Sequence, residues 1–337
     1  MQFKWIGITT IVLVYLLILV GGIVRGTGAG MGCPDWPKCF DNWVPPSDVS
    51  QLPDNYQEIM LEKRKKKNEK LNRLLSILGV DLTDERSANQ VYEATVFNHT
   101  KAWIEYVNRV IGVLIGFSIF LTTIASRKFI SANSRVFVAC ILSFILVLFQ
   151  GYLGSVVVST NLFPGLITFH MAVAILIVLL LIYAVFIAEK PRHYVNLKLF
   201  TNRGSIICLA LFLFSTIQVL IGTQVREVVD MYTHDGMPRA VIANSLENHM
   251  IFLIHRSFSW LILLLSALFL YTSFKFKKVD LIHYLVFIFV IIEAIVGITL
   301  AYFGLPAISQ PIHLLVGTLI IGLMFYVTLN NITEKVE

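Results

Sequence analysis

Three histidines stand where a histidine is expensive. His170, His255 and His313 each fall just inside a long apolar run, near its beginning. An imidazole in hydrocarbon persists when it faces a bundle interior and has a partner, and its uses there are metal ligation or a structural interhelical hydrogen bond. Glu105 and Glu293 lie in apolar runs as well and carry the same cost. Glu105 precedes Asn108 by three residues, on one helical face, with Arg109 next to it. A carboxylate at this point can relay protons, stabilise developing positive charge, or pair with an arginine such as Arg109 or Arg25. Glu293 can hydrogen-bond to the ring of His255 or His313. Cys33 and Cys39 enclose Pro34-Asp35-Trp36-Pro37-Lys38. Two thiols at that spacing can close a small-loop disulfide, which can be structural or can exchange electrons beside an active site. Cys140 and Cys208 fall within apolar runs and read as small buried residues. His193, His234, His249 and His283 lie near run ends or in loops and read as structural or solvated. His99, nine residues before Asn108, is close enough in sequence to swing toward it.

The elements that carry these residues follow from composition. Of 337 residues, 56% are hydrophobic and 14% charged, where a soluble domain has about 25% charged, and the mean hydropathy is +0.75. That excludes a water-soluble globule and makes lipid the solvent for much of the chain. Eight apolar runs, near 5–25, 103–125, 136–158, 166–188, 205–225, 249–273, 281–302 and 311–330, are each long enough to cross a bilayer as a helix. The fold class is therefore an all-α polytopic membrane protein. The net charge of +6 does not indicate nucleic acid, because the basic residues concentrate in loops between spans. Arg127, Lys128 and Arg135 follow span 2, Lys190, Arg192, Lys198 and Arg203 follow span 4, and Lys275, Lys277 and Lys278 follow span 6, whereas the loops after spans 3 and 7 have no Lys or Arg. The positive-inside rule then puts both termini in the cytoplasm and the odd-numbered loops outside. The run Lys63-Arg64-Lys65-Lys66-Lys67 opposes this, but it belongs to a long loop, and long loops translocate largely regardless of charge. Span 1 starts almost at Met1 without an Arg- and Ser-rich presequence, so a bacterial inner membrane is the expected location. Residues 52–97 are polar with scattered apolar positions, which predicts one or two short surface helices in an insertion spanning about 45–97.

The chain also repeats itself. Gln150-Gly151-Tyr152-Leu153-Gly154, Pro164 and His170 align with Glu293-Ala294-Ile295-Val296-Gly297, Pro306 and His313, with the glycine 16 residues before the histidine in both. Glu105 to Arg109 aligns with Phe252 to Arg256, and Val20 to Arg25 with Ile221 to Arg226. This predicts two tandem four-helix bundles related by a parallel repeat, residues 1–190 and 191–337. His255 and His313 then sit at matching positions of one bundle, which suits the two axial bonds of a haem iron. In the other bundle His170 matches His313 but Asn108 stands where His255 predicts histidine. A haem there is held by His170 alone, with its opposite side open.

Gly21-Gly22-Ile23-Val24-Arg25-Gly26-Thr27-Gly28-Ala29-Gly30, followed by the Cys33 to Cys39 motif, resembles the signature of haem A synthases. The segments around Glu105, His170, His255-Arg256 and His313 match that family in order, so the resemblance covers nearly all the chain outside the insertion. It implies that His255 and His313 ligate a haem b and that His170 belongs to the site holding the substrate, haem O. It also implies a catalytic role for Glu105, with Arg109 and Arg25 near it, and a disulfide between Cys33 and Cys39. Many members have histidine where this chain has Asn108. The implied reaction is a membrane oxidoreductase's, converting the C8 methyl of haem O to formyl. Haem O synthase would supply the substrate, a haem-copper oxidase and its assembly proteins would receive the product, and an electron donor is required. A b-type cytochrome that passes electrons without altering haem is the alternative, and a haem transporter the third reading.

Overall fold

The computed structural model describes residues 2–76, 94–162, 165–190, 193–195, 203–275 and 279–335. The readings placed on Pro164, Arg192, Lys198, Lys277, Lys278 and residues 77–93 lie outside that set, as do the side chains of His193 and His234. Eight helices are long and apolar enough to cross a membrane. These are α1 (Gln2–Gly26), α3 (His99–Ser126), α4 (Ser134–Ser159), α5 (Leu166–Glu189), α6 (Arg203–His234), α8 (Met250–Lys275), α9 (Leu281–Tyr302) and α10 (Ser309–Ile332). Two shorter helices, α2 (Tyr56–Ser76) and α7 (Arg239–Ser245), lie in the connections.

Segments such as Ile288-Phe289-Val290-Ile291-Ile292 are rich in side chains that favour strands in water. They are helical here because in lipid each backbone N–H and C=O must be satisfied within its own segment. The apolar pattern is inverted relative to a soluble protein. Val113 is 73% exposed and Trp260 71%, on the faces a bilayer would cover, whereas Thr10, Ser143 and Ser266 are fully buried. Thr10 Oγ1 lies 2.7 Å from Ser118 Oγ and 2.8 Å from Thr122 Oγ1, a polar tie between α1 and α3 of the kind that holds helices together in apolar surroundings.

Helix α1 packs on α3 and α5, and α4 packs on the same two, closing one ring of four. Helices α6, α8, α9 and α10 close a second ring in the order α6–α8–α9–α10. The rings join where α10 packs on α1 and α5 and where α5 meets α6. At that seam Gly22 is required: a Cβ there would stand 2.9 Å from the backbone of Pro311 on α10.

The structure departs from expectation in three places. Helix α6 runs nine residues beyond the expected end at 225, carrying Arg226, Glu227 and Asp230 past the apolar stretch. The described part of the insertion holds one 21-residue helix, α2, rather than short pieces. A small antiparallel ladder, β1 (His193–Val195) with β2 (Thr333–Lys335), links the α5–α6 connection to the chain's end. Such non-local pairing leaves no periodic signal in a three-residue stretch.

Candidate functional site

All three singled-out histidines sit at the end of the bundle that carries Cys33 and Cys39. In the second ring, His255 on α8 and His313 on α10 face each other with ring centroids 6.2 Å apart and planes at 77°. Each ring leans on a glycine of a neighbouring helix. A Cβ on Gly222 would meet His255 Cε1 at 3.1 Å, and one on Gly297 would meet His313 Cε1 at 3.3 Å. Four residues before each glycine is a carboxamide or carboxylate directed at the same histidine. Gln218 Nε2 donates to the His255 carbonyl at 2.9 Å, and Glu293 Oε1 lies 3.1 Å from His313 Nδ1. The latter is a charge contact rather than an aligned hydrogen bond.

The first ring has one corner of this kind. Gln150 Nε2 donates to the His170 carbonyl at 2.9 Å, and a Cβ on Gly154 would meet His170 Cε1 at 3.6 Å. The remaining corner is different. Leu17 stands where the alignment puts Gln218, a Cβ on Gly21 would meet nothing within 4 Å, and the buried Oδ1 of Asn108 has no hydrogen-bond partner among the described residues. His99 does not fill the gap, since it starts α3 beside Trp103, and nine helical residues separate it from Asn108 by about 13 Å.

These residues fit a haem. The buried Nδ1 atoms of His170 and His255 have no hydrogen-bond partner among the described residues, and the glycines clear room for the rings. Two metal–nitrogen bonds of about 2 Å each, with the reach from nitrogen to ring centre on both sides, add to roughly the separation of His255 and His313. Among the described residues no three His, Cys, Asp or Glu side chains converge on a metal-sized point. A two-nitrogen site suits a macrocycle that brings four nitrogens of its own.

Glu105 is buried and fully engaged. Its Oε1 takes Nη2 of Arg109 at 2.5 Å, and its Oε2 accepts from the Cys33 N–H at 2.8 Å. Arg109 also donates to the carbonyls of Cys33, Asp35 and Lys38, at 2.9, 2.7 and 2.9 Å. The two side chains thus clamp the whole Cys33–Cys39 loop onto α3. Arg25 is elsewhere engaged: it and Arg226 share Asp230, at 2.6 and 2.7 Å.

Cys33 and Cys39 form a disulfide. Both are buried, beneath Phe40 and against Tyr56 and Met60 of α2. A partner thiol has no path to the bond while α2 stays in place, which favours the structural reading. Cys140 and Cys208 are buried free thiols, as expected. His249 Nε2 lies 2.6 Å from the Tyr232 hydroxyl and His283 stacks on Phe269, both structural arrangements.

The sequence alignment matched Gln150 with Glu293 but gave Gln150 no role, and it did not reach Gln218. The signal that marks them is the recurring Gln/Glu-x-x-x-Gly, found at 150–154, 218–222 and 293–297.

A family model described as cytochrome oxidase assembly protein, COX15-CtaA, matches residues 4–78 and 80–325. Three relatives named "Heme A synthase" are similar to the chain. The one from Shewanella oneidensis is 25% identical over 58% of this chain and 48% of its own length, so the chain spans about half of that protein. Those from Bartonella tribocorum, 26% identical over 88% and 83%, and Flavobacterium johnsoniae, 23% identical over 96% and 95%, align along most of both chains.

Proposed function

The chain belongs to the COX15-CtaA family of cytochrome oxidase assembly proteins, and on that premise we propose that it oxidises the C8 methyl of haem O to the formyl of haem A. The observation that carries this reading is the inequality of the two rings. One offers two facing imidazoles, 6.2 Å between centroids, and the other offers His170 alone, with Asn108 at the position that matches His255 and open space beside Gly21. A b-type cytochrome that only passes electrons has no use for that asymmetry.

Residues 191–337 form the electron-transfer half, with His255 and His313 as ligands of haem b. Residues 1–190 form the substrate half, with His170 as the single protein ligand to haem O. A haem held by both His255 and His313 would supply an electron-transfer centre, and one held by His170 alone would supply a redox centre able to act on substrate. The chain's own residues orient it. Glu293, 3.1 Å from His313 Nδ1, engages that nitrogen and leaves Nε2 as the ring's nitrogen for iron. Gln150 and Gln218 fix the backbone from which His170 and His255 project. Glu105 keeps a carboxylate one helical turn from Asn108, held by Arg109 and the Cys33 N–H, where it can balance positive charge developing on the substrate or take a proton from it. Two successive hydroxylations of the methyl carbon, each using a co-substrate oxidant of the dioxygen class with two electrons from the donor (R–H + O2 + 2 e− + 2 H+ → R–OH + H2O), give a geminal diol that loses water to the formyl group. The electron donor is a separate partner, haem O synthase the source of substrate, and a haem-copper oxidase the recipient. The site end faces the periplasm of a bacterial inner membrane, with both termini in the cytoplasm.

Haem extracted from host membranes containing haem O tests this directly. Haem A should appear with the protein and not without it, and its absence overturns the reading. His313→Ala should abolish the low-spin bis-histidine spectrum while His170→Ala leaves it; the reverse pattern overturns the assignment of the halves.

A further inference from the structure

Beside the disulfide loop lies a cavity of about 200 Å³, far more than the 10–15 Å³ that one water needs. Its walls come from three parts of the chain: the Pro34–Lys38 turn, the insertion helix α2, and the end of α4 at Val158 and Ser159. Four cationic side chains line it, Lys38, Lys63, Arg64 and Lys67, against the two carboxylates of Asp35 and Asp41. Neither carboxylate is idle. Asp35 accepts the backbone N–H groups of Phe40 and Asp41, at 2.7 and 2.9 Å, and Asp41 pairs with Lys63. The cavity therefore carries an excess of positive charge.

Helix α2 is fastened at this place. Lys67 Nζ donates to the Ser155 carbonyl at 2.9 Å, and Asn68, fully buried, donates through Nδ2 to the Ser159 carbonyl at 2.7 Å. Desolvation and the nearby Arg109 charge hold the Lys67 amine below the usual lysine range, and Asp35 offsets them only in part. An anion in the cavity would relieve that cost. The position is also informative. Val158, which lines the cavity, is four residues beyond Gly154, the glycine against which His170 rests, on the same helical face and about 6 Å along the helix axis. The cavity thus stands directly beyond the His170 corner, toward the disulfide end.

We propose that this cavity is a carboxylate-binding pocket for the propionate edge of the substrate haem, with Lys63 and Lys67 as its anion-binding side chains. The inference rests on the reading of the His170 ring as the substrate half. It gives the insertion a function: α2 supplies most of the pocket's positive charge. A haem is apolar except at the edge bearing its two carboxylates, so that edge turns away from hydrocarbon and toward a cationic, water-accessible pocket.

The test uses the full-length protein in nanodiscs of phosphatidylcholine, titrated with haem O and with haem O dimethyl ester, whose carboxylates are capped. Binding is followed by the Soret band. The wild type should bind the acid about ten-fold more tightly than the ester. Lys63→Gln and Lys67→Gln should each remove most of that preference without changing ester affinity or the bis-histidine spectrum, and Lys67→Arg should retain it. Equal affinity for acid and ester in the wild type overturns the proposal, as does a weakening of both ligands alike by the variants. Loss of the preference when phosphatidylglycerol is added, with that lipid retained by wild type and not by Lys67→Gln, overturns it in favour of a lipid phosphate. Haem O binding that His170→Ala leaves unchanged would instead overturn the functional reading on which the proposal stands.

Discussion

The histidine rings are held by what their neighbours lack. At Gly222 and Gly297 a single added carbon would crowd an imidazole, at 3.1 and 3.3 Å, while at Gly154 it would make ordinary contact at 3.6 Å. Replacing Gly222 by Val should therefore displace His255 and abolish the bis-histidine haem spectrum, whereas Gly154→Ala should leave haem content unchanged; visible absorption of the purified variants decides. Glu105 is a different case, because both of its oxygens are committed. Glu105→Gln keeps an acceptor for the Cys33 N–H but leaves Arg109 without its charge partner, and breaking a buried pair from one side costs about 3–5 kcal/mol. The variant should lose haem A formation and melt at lower temperature while retaining haem b, as read by haem analysis and thermal unfolding in detergent. The Glu105–Arg109 pair was legible in the sequence because residues four apart on a helix are neighbours by geometry. Arg25 was not, since its partner Asp230 is 205 residues away and nothing local to either residue indicates the other. The roles of Gln150 and Gln218 were not legible for a related reason: their partners are backbone carbonyls, which every residue has.

Among the elements, α2 shows how a polar insertion is fixed to an apolar bundle. It has little apolar surface of its own, and it spends Tyr56 and Met60 on the disulfide loop and Lys67 and Asn68 on the buried carbonyls of Ser155 and Ser159 near the end of α4. The Ser159 carbonyl is one of the last four of α4, which has no next turn to supply their N–H donors, whereas the Ser155 carbonyl has the N–H of Ser159 four residues on and takes Lys67 in addition. The insertion thus caps a spanning helix and seals a disulfide. In the wild type the Cys33–Cys39 bond should resist dithiothreitol under native conditions. Combining Tyr56→Ala with Met60→Ala should render it reducible, as counted by thiol alkylation and mass spectrometry. The sequence indicated surface helix in 52–97 through its spacing of apolar residues, but which carbonyls the polar ones would cap depends on where α4 ends in space.

For the whole molecule the seam between the two rings is the decisive feature. Helix α10 serves both, since it carries His313 for one ring and packs on α1 and α5 of the other. Gly22 lets α1 approach Pro311 closely, and beyond the apolar stretch Asp230 joins Arg25 to Arg226 across the same seam. Arg239 of α7 adds a bond from Nη2 to the Gly26 carbonyl at 2.6 Å. Gly22→Val should wedge α1 from α10 and cost at least the 1–3 kcal/mol typical of overpacking. Because His313 is on α10, thermal unfolding and the bis-histidine spectrum should both respond, although the substitution is in the other ring. A change in neither would show that the rings are independent.

The sequence by itself determined that lipid is the solvent, that eight segments are long and apolar enough to cross it as helices, and which few polar residues had to have a purpose there. It could do so because the bilayer imposes those conditions one segment at a time: a span must be long, apolar and internally hydrogen-bonded, and any exception is costly wherever it occurs. The tertiary structure alone decided how each helix is turned about its axis and which distant groups meet. It brought His255 and His313 to 6.2 Å, left the buried Oδ1 of Asn108 without a hydrogen-bond partner among the described residues, gave Arg25 to Asp230 rather than Glu105, and buried the disulfide beside α2. In lipid these choices depend on close packing and single hydrogen bonds, small terms summed over many contacts between helices that are distant in sequence. No segment carries that sum within itself.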